Sequence, residues 1–363
     1  MKILLTGHRG YIGAVLTPML LDRGHTLTGL DSDIFRACTF AGELAETRAI
    51  EKDIRETIID DVAGFDAIIH LAGLSNDPLG DYRPNLTEDI NFKASVRLAQ
   101  LAKQGGVPRF LYASSCSTYG ASGPDFLDER AAFNPMTPYG ASKVNVERAI
   151  APMADKTFSP TFLRAATAYG LSPRIRFDLI VNNLTAWAFT TGQVFLKSDG
   201  TPWRPIVHVE DIARAYVAAL EADRDLVHNQ SFNVGVTTEN YHMIEIADIV
   251  KAIVPNSRIE FALDAGPDIR CYRVDCNYIA RRLHAFKPQW TARRGVEQLY
   301  DAYCDKGLTL EEFEGERFKR IAHVQKLIRD GELDEDLRRS SPLLPTPSLS
   351  DARKWMKTNH VGR

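Results

Sequence analysis

Gly7-His8-Arg9-Gly10-Tyr11-Ile12-Gly13 spaces three glycines by three residues, directly after the apolar run at residues 2–5. A helix-like pattern then continues over residues 11–23. Glycine lets the backbone turn tightly and approach a phosphate, and a helix N-terminus supplies free N–H groups with positive potential. A strand, a glycine turn and a helix in this order predict a dinucleotide-binding unit.

An acidic residue strengthens this prediction. Asp31 follows a second candidate strand at residues 26–30, where a carboxylate can accept hydrogen bonds from an adenosine ribose. A carboxylate at this place also repels a 2′-phosphate, because like charges repel. The sequence therefore predicts NAD, in preference to NADP, as the cofactor.

Further apolar runs lie at residues 67–71 and 109–113, with a helical pattern over residues 92–104 between them. Strands that alternate with helices indicate a parallel sheet covered on both faces. We predict an α/β fold: a Rossmann-type doubly wound parallel sheet with a smaller mixed C-terminal substrate lobe. Ligands of such sheets bind beyond the carboxyl ends of the strands.

The less regular second half suggests how the chain is divided. We predict a Rossmann domain over residues 1–170, to which residues 206–235 return. Residues 171–205 and 236–305, which carry prolines among aromatics and arginines, would form the substrate lobe. Residues 306–363 would form a helical extension and tail, interrupted by the proline-rich run at residues 340–348.

Composition excludes several classes of protein. The formal net charge of −3 gives no basic excess for nucleic acid or an anionic membrane. The N-terminal apolar run is too short for a secretory signal or a membrane span. Five scattered cysteines without a CxxC pair indicate reduced thiols and no metal site. These features predict a cytoplasmic protein.

The candidate reacting groups are Tyr139, Lys143 and Ser115. Tyr139 and Lys143 lie four residues apart, on one face of a helix if this segment is helical. A nearby ammonium favours phenolate over phenol, so the pair could remove a hydroxyl proton near neutral pH. Ser115 follows the candidate strand at residues 109–113, where its hydroxyl could bridge phenol and substrate.

A set of short motifs is spread over roughly the first 300 residues. They are Thr6-Gly7-x-x-Gly10-Tyr11-Ile12-Gly13, Asp53-Ile54, His70-Leu71-Ala72, Asn91, Ser114-Ser115-x-x-x-Tyr119-Gly120, Pro138-Tyr139-x-x-x-Lys143, Arg204-Pro205-Ile206-Val207-His208-Val209-x-Asp211 and Phe232-Asn233-Val234-Gly235. Together they resemble the extended short-chain dehydrogenase/reductase superfamily, and within it the sugar-nucleotide epimerase/dehydratase branch. Such motifs are specific for the superfamily and much less specific for the substrate.

The resemblance implies a site for each ligand. It implies catalysis by Ser115, Tyr139 and Lys143, and a homodimer joined through helices. It implies that NAD is bound by Gly7, Gly10, Tyr11, Ile12, Gly13, Asp31, Asp53, Ile54, Leu71, Ala72, Tyr139 and Lys143. It implies that the nucleoside-diphosphate sugar is bound by Asn183, Arg204 and Arg270, with Thr167 at a position where the family often has Asn, and Ser117 close by.

All enzymes of this branch begin by oxidising a sugar hydroxyl, usually at C4. Elimination by the dehydratases typically uses an Asp-Glu pair immediately after the catalytic Ser or Thr, and here Cys116-Ser117 stands there. Neighbouring residues of an extended segment point in opposite directions, so we expect Cys116 to face the interior. An acid/base role for this thiol stays open.

The simplest function that these residues predict is epimerisation at C4 through a transient 4-keto sugar, with no net oxidation or reduction. The alternatives are a 4-ketoreductase, a 3,5-epimerase or a decarboxylase of the same branch, and, more remotely, a non-catalytic NAD-binding regulator. The segments at residues 74–78 and 172–178 depart from the common family pattern. We therefore hypothesise that Ser75, Asn76, Arg174 and Arg176 line a pocket for a modified sugar.

Overall fold

A seven-stranded parallel sheet forms the centre of the molecule. The computed structural model describes residues 1–75, 83–123, 125–266 and 271–339. The strand order is β11-β7-β5-β4-β1-β2-β3, and every neighbouring pair runs parallel. The strands are β1 (Lys2–Thr6), β2 (Thr26–Asp31), β3 (Arg48–Glu51), β4 (Ala67–His70), β5 (Arg109–Ser115), β7 (Ser159–Ala165) and β11 (Gln230–Val234).

Helices cover both faces of this sheet. In β1, Ile3 and Leu5 belong to one apolar cluster and Leu4 to another, so the strand is buried on both sides. The helices of the first half are α1 (Gly13–Asp22), α2 (Ile59–Val62), α3 (Pro84–Thr87), α4 (Ala94–Gln104) and α5 (Pro138–Ile150), with a π-helical segment at Glu88–Lys93. The predicted doubly wound α/β fold is confirmed.

The second half adds smaller sheets and further helices around a third apolar cluster. The short strands are β6 (Phe126–Leu127), β8 (Thr167–Tyr169), β9 (Gln193–Ser198), β10 (Trp203–His208), β12 (Asn240–His242), β13 (Arg258–Gly266) and β14 (Arg273–Val274). The helices are α6 (Ile180–Thr191), α7 (Val209–Glu221), α8 (Arg224–Val227), α9 (Met243–Ile253), α10 (Asn277–Arg282), α11 (Ala292–Lys306), α12 (Leu310–Glu314) and α13 (Arg320–Arg329). Helix α7 packs against the central sheet, while α6, α9 and α11 surround the third cluster.

Other predictions from composition can be compared with the described residues. All five cysteines are free, and Cys304 is exposed. Every helix in the described ranges is too short or too polar to cross a bilayer. The helix-prone region after residue 306 does form α12 and α13, whereas the proline-rich run at residues 340–348 lies outside the described residues.

Candidate active site

In the turn after β1, the positions of Gly7 and Gly13 are packed too tightly for any larger residue. Gly7 has φ +75°, and a Cβ there would lie 2.7 Å from the backbone nitrogen of Ala72. A Cβ on Gly13, where α1 begins, would lie 2.2 Å from the carbonyl oxygen of Gly7. The Gly10 N–H donates to the same carbonyl at 3.0 Å, which closes the turn. The start of α1 is thus held beside the ends of β1 and β4, where a diphosphate can approach backbone N–H groups.

Asp31 ends β2 next to this turn. Its carboxylate accepts the backbone N–H of Arg9 at 3.0 Å and that of Asp33 at 2.8 Å. Burial raises the pKa of Asp31, against the effect of these two N–H groups. The carboxylate is therefore held in one orientation, with lone pairs left to accept hydrogen bonds from a ribose diol. The glycine turn, the helix start and this carboxylate together fit a dinucleotide.

Four further residues that were predicted to bind NAD lie at the ends of neighbouring strands: Asp53, Ile54, Leu71 and Ala72. Asp53 caps the 3-10 turn Ile54–Glu56 and forms an ion pair with Arg55, whose Nη2 lies 2.5 Å from Asp53 Oδ2. Leu71 follows β4 and donates its N–H to Thr6 at 3.0 Å. Ile54, Leu71 and Ala72 thus lie near the carboxyl edge of the sheet, and their contact with NAD stays a prediction.

Lys143 lies in the sheet-facing side of α5. Its Nζ donates to the Ala113 carbonyl at 2.6 Å and lies 4.8 Å from the ring centroid of Tyr112 and 5.4 Å from that of Tyr139. Burial lowers the pKa of Lys143 to about 7, while the Glu147 carboxylate one turn later opposes this decrease. The hydrogen bond to Ala113 thus holds the ammonium near the Tyr139 ring, on the helix face that the four-residue spacing predicts.

The start of α5 lies against the end of β5. Thr137 caps the helix by accepting the Gly140 N–H at 3.1 Å, and a Cβ on Gly140 would lie 3.0 Å from the Ser117 carbonyl oxygen. Ser115, the last residue of β5, accepts the Ser117 N–H at 3.1 Å. The elements that carry Ser115 and Tyr139 are therefore in contact, and the Ser117 hydroxyl is buried without a hydrogen-bond partner among the described residues.

Cys116 faces the interior, as predicted, although it begins the 3-10 turn Cys116–Thr118 and does not lie on the extended segment that the prediction assumed. It has no exposed surface, and its Sγ donates to the Arg164 carbonyl at 3.1 Å. Burial raises the pKa of the Cys116 thiol above its usual value. Both features oppose a role for this thiol in proton transfer.

A buried ion pair that was not predicted from the sequence holds helix α5 against the sheet. Glu147 Oε2 lies 2.7 Å from Arg164 Nη2, and both side chains are almost fully buried. Ser114 also donates to Glu147, so that the carboxylate joins α5 to both β5 and β7. The spacing of four residues between Lys143 and Glu147 was the available signal, because it places both on one helix face.

Two predicted substrate residues, the buried Arg176 and the exposed Ser75, are joined by a hydrogen bond near Tyr139. Arg176 Nη1 donates to the Ser75 hydroxyl at 3.0 Å, and its Nη2 lies 2.6 Å from Asp178 Oδ2. The Arg176 guanidinium also interacts electrostatically with Tyr11 and Tyr139. These interactions place Arg176 near Tyr11 of the glycine turn and near Tyr139 of α5.

Arg174 points elsewhere. Its Nη2 lies 3.0 Å from Asp33 Oδ1, and its Nη1 donates to the Phe35 carbonyl. Arg174 therefore binds the loop after Asp31, on the nucleotide side of the site, although it is only two residues from Arg176. Sequence proximity alone could not separate the two arginines.

The other predicted substrate residues are spread over several elements. Thr167 begins β8 and pairs with Ile206 of β10. Asn183, in α6, donates to the Phe177 carbonyl at 2.9 Å, and Arg204, in β10, donates to the Trp203 carbonyl at 3.0 Å. Asn76 and Arg270 lie outside the described residues.

Comparison with known proteins identifies relatives over most of the chain. UDP-glucose 4-epimerase from Corynebacterium glutamicum is 27% identical over 268 residues, which is 70% of this chain and 80% of that protein. The Bacillus subtilis UDP-glucose 4-epimerase is 27% identical and covers 82% of this chain and 94% of its own length. The human UDP-glucose 4-epimerase is 29% identical over 69% of this chain and 81% of its own.

Solved structures share the fold. UDP-glucuronic acid 4-epimerase from Bacillus cereus superimposes with a TM-score of 0.72 at 22% identity, covering 84% of this chain and 99% of that one. UDP-glucose 4-epimerase from Thermotoga maritima gives a TM-score of 0.74 at 21% identity, over 85% of this chain and 100% of that one.

The model of one protein family matches residues 3–235, which is more than half of the chain. Its members are enzymes that depend on NAD, so the predictions of an enzyme and of NAD as cofactor are confirmed. The match includes the glycine turn, Asp31 and the segment that carries Ser115, Tyr139 and Lys143. The chain belongs to the NAD-dependent epimerase/dehydratase family.

Proposed function

We propose that the protein is an NAD-dependent nucleotide-sugar epimerase that inverts C4 through a transient 4-keto sugar. The observation that carries the proposal is the Lys143 ammonium, buried 5.4 Å from the ring centroid of Tyr139, on a helix that contacts the turn after Ser115. The relatives described above, which are named as 4-epimerases, support the same reaction.

The chain's own residues supply the proton transfer. The ammonium of Lys143 favours the phenolate of Tyr139, which then removes the proton of the C4 hydroxyl. The Ser115 hydroxyl donates to the reacting oxygen and so orients it against Tyr139. Bound NAD supplies the other half of the chemistry, by accepting the C4 hydride and returning it. Inversion requires that the hydride return to the opposite face of C4. Tyr139 then gives its proton back to the C4 oxygen.

The turn after Ser115 argues against elimination. A 4,6-dehydration needs an acid and a base beside the sugar. Here Cys116 is buried and donates to a carbonyl, and Ser117 carries only a hydroxyl. We assign the Ser117 hydroxyl, which has no partner among the described residues, to the sugar.

Binding of the nucleoside diphosphate is assigned to Asn183, Arg204 and Arg270, since a guanidinium binds phosphate oxygens with two parallel hydrogen bonds. Ser75, Asn76, Thr167 and Arg176 are assigned to the sugar. Arg174 was predicted for the same pocket, but its contact with Asp33 favours a role at the nucleotide half of NAD.

The reaction is tested by incubating the enzyme with UDP-sugars in deuterated water. Direct inversion at C4 leaves the sugar carbons unlabelled, because the hydride stays within the enzyme. Deuterium at C3 or C5 would instead indicate enolisation, as in a 3,5-epimerase, and net loss of CO2 would indicate a decarboxylase. A requirement for an external reductant would favour a 4-ketoreductase.

The variant Tyr139→Phe tests the assignment of Tyr139 as the proton-transferring residue. We expect turnover to fall about 10²–10⁴-fold, because the lost hydroxyl moves the proton, while NAD remains bound. Near-normal turnover in this variant would refute the assignment of Tyr139. If Tyr139→Phe and the native enzyme bind NAD equally and neither converts any nucleotide sugar, the chain is a non-catalytic NAD-binding protein.

We also propose a cytoplasmic homodimer, following the family pattern of pairing through helices. The exposed positions of α4 and α5 are polar, including Arg97, Gln100, Asn145 and Arg148. An interface on this face would therefore be rich in hydrogen bonds and sensitive to salt. Sedimentation of the enzyme across a range of protein concentrations and ionic strengths tests the dimer.

A further inference from the structure

The end of the described chain packs on the nucleotide-binding half of its own molecule. We call residues 316–339 the C-terminal segment. Its apolar side chains Val324, Leu327, Leu333 and Leu337 are buried in the same cluster as Leu30 of β2, Ile54 and Leu98. These contacts bring the C-terminal segment to the sheet edge that carries Asp31.

Polar side chains of this segment bind one loop of the sheet edge. We call residues 32–39, which follow Asp31, the ribose loop. Arg339 Nη2 donates to the carbonyls of Ser32 at 3.1 Å and Asp33 at 3.2 Å, and His323 Nε2 donates to the Ile34 carbonyl at 3.2 Å.

The same segment also binds the far end of the ribose loop. Arg317 Nε donates to the Ala37 carbonyl at 2.8 Å, while Cys38 Sγ donates to the Arg317 carbonyl at 2.8 Å. The guanidinium of Arg320, which is 7% exposed, lies 4.0 Å from the ring centroid of Phe35. The C-terminal segment therefore holds the ribose loop along its whole length.

The ribose loop in turn holds Asp31. Asp33 has φ +45°, in the left-handed region that few residues other than glycine adopt. In this conformation its N–H donates to Asp31 Oδ1 at 2.8 Å, and its carboxylate pairs with Arg9 and Arg174. An unsupported loop would escape this strained conformation, and Asp31 would lose one of its two N–H donors.

We propose that the C-terminal segment is a clasp for the adenosine half of NAD: by fixing the ribose loop it keeps the Asp31 carboxylate aimed at the ribose and holds the cofactor through successive turnovers. The inference rests on the NAD site assigned above. A loop that is ordered before binding does not lose conformational entropy when NAD binds, so affinity is higher and release is slower. Arg339 and His323 are positioning residues in this clasp.

The test compares NAD release from the native enzyme with release from variants at Arg339 and at its neighbour Arg338. Arg339→Met removes the hydrogen bonds to Ser32 and Asp33 but keeps a side chain of similar length. The matched control is Arg338→Met, which removes only the exposed ion pair with Glu56. Each protein is loaded with NAD, and the released NAD is reduced by alcohol dehydrogenase with excess ethanol.

We expect Arg339→Met to release NAD at least about tenfold faster, the size expected for losing a charge-assisted hydrogen bond. Arg338→Met should match the native enzyme, and Arg339→Lys should restore part of the retention. With saturating NAD, kcat and the KM for the nucleotide sugar should stay within about twofold of native, which general damage to the fold would not allow.

Unchanged or slower release from a folded Arg339→Met enzyme would overturn the clasp, and slower release would show that the segment competes with NAD. Because the measurement follows the cofactor, it gives the same answer whether or not a sugar is epimerised. Failure of the clasp is thus distinct from failure of the proposed reaction. A native protein that does not bind NAD at all would overturn both.

Discussion

The ammonium of Lys143 lies where its charge is disfavoured. It is nearly fully buried, and burial lowers its pKa to about 7 from the ordinary 10.5. A residue that serves stability alone would not carry a charge there, since an apolar side chain of similar volume costs less to bury. The placement supports the proposed role of Lys143, in which the cation stabilises the Tyr139 phenolate.

Lys143→Met should therefore separate activity from stability. We expect turnover to fall by about 10²–10⁴-fold because the phenolate loses its cation. The free energy of unfolding at pH 7 should not fall, because removal of the buried charge outweighs the lost hydrogen bond to Ala113. Steady-state kinetics and urea unfolding at fixed NAD loading measure the two quantities.

The same variant reveals the titration of Lys143. Between about pH 7 and pH 10.5 the folded protein has lost this proton and the unfolded chain still holds it. Stability therefore rises with pH in that window, since the unfolded state binds more protons. The native-minus-variant difference in unfolding free energy should increase from pH 7 to 10.5. A flat difference would contradict the lowered pKa.

The positions of some site residues could be predicted from the sequence, and those of others could not. Tyr139 and Lys143 were predictable because a helix brings residues four apart onto one face. The inward orientation of Cys116 was predicted from the alternation of an extended segment, but the residue lies in a 3-10 turn, so the outcome was right and the reason was wrong. Arg174 was not predictable, because its partner Asp33 comes from a distant loop and no local pattern links the two.

At the scale of elements, the strand–glycine–helix unit is the most constrained part of the chain. Glycine at position 13 lets α1 begin within contact of the Gly7 carbonyl. Gly13→Ala should cost about 1–3 kcal/mol by overpacking rigid backbone. If α1 moves away to relieve the clash, NAD affinity should fall about tenfold to hundredfold.

Gly266→Ala is the control for this prediction, because among the described residues an added methyl there meets only the Asp264 carbonyl oxygen, at 3.9 Å. Calorimetric titration with NAD measures both variants, and far-UV circular dichroism checks that each is folded. Equal NAD affinity in the Gly13→Ala and native enzymes would show that the turn can open without harm to the site.

The sequence predicted the central elements well, for physical reasons. Parallel strands buried on both faces appear as continuous apolar runs, so β1, β2, β4 and β5 could be located to within a few residues. The second half could not be divided in this way, because short strands such as β8 and β14 pair with distant segments. Pairing of that kind leaves no periodic pattern in the sequence.

At the scale of the whole molecule, Phe40 joins the two halves. It lies just after the ribose loop, yet its ring packs edge-on against Phe177, Tyr303 and Phe318, at centroid distances of 5.7, 5.9 and 5.9 Å. Its N–H also donates to the Pro173 carbonyl at 2.8 Å. The predicted boundary between Rossmann domain and substrate lobe, which stays a prediction, is thus crossed by a side chain from the cofactor half.

Phe40→Ala should consequently affect both folding and cofactor binding. A cavity of this kind costs about 3–5 kcal/mol, and loss of the anchor at one end of the ribose loop should speed NAD release. Leu184→Ala makes a cavity in the same apolar cluster at a cost of about 2–5 kcal/mol, but Leu184 belongs to helix α6 and not to the chain next to that loop. Denaturant unfolding should show both variants destabilised, and only Phe40→Ala should release NAD faster. Equally fast release from both variants would mean that NAD retention follows overall stability, and that Phe40 does not act on the cofactor site through the loop.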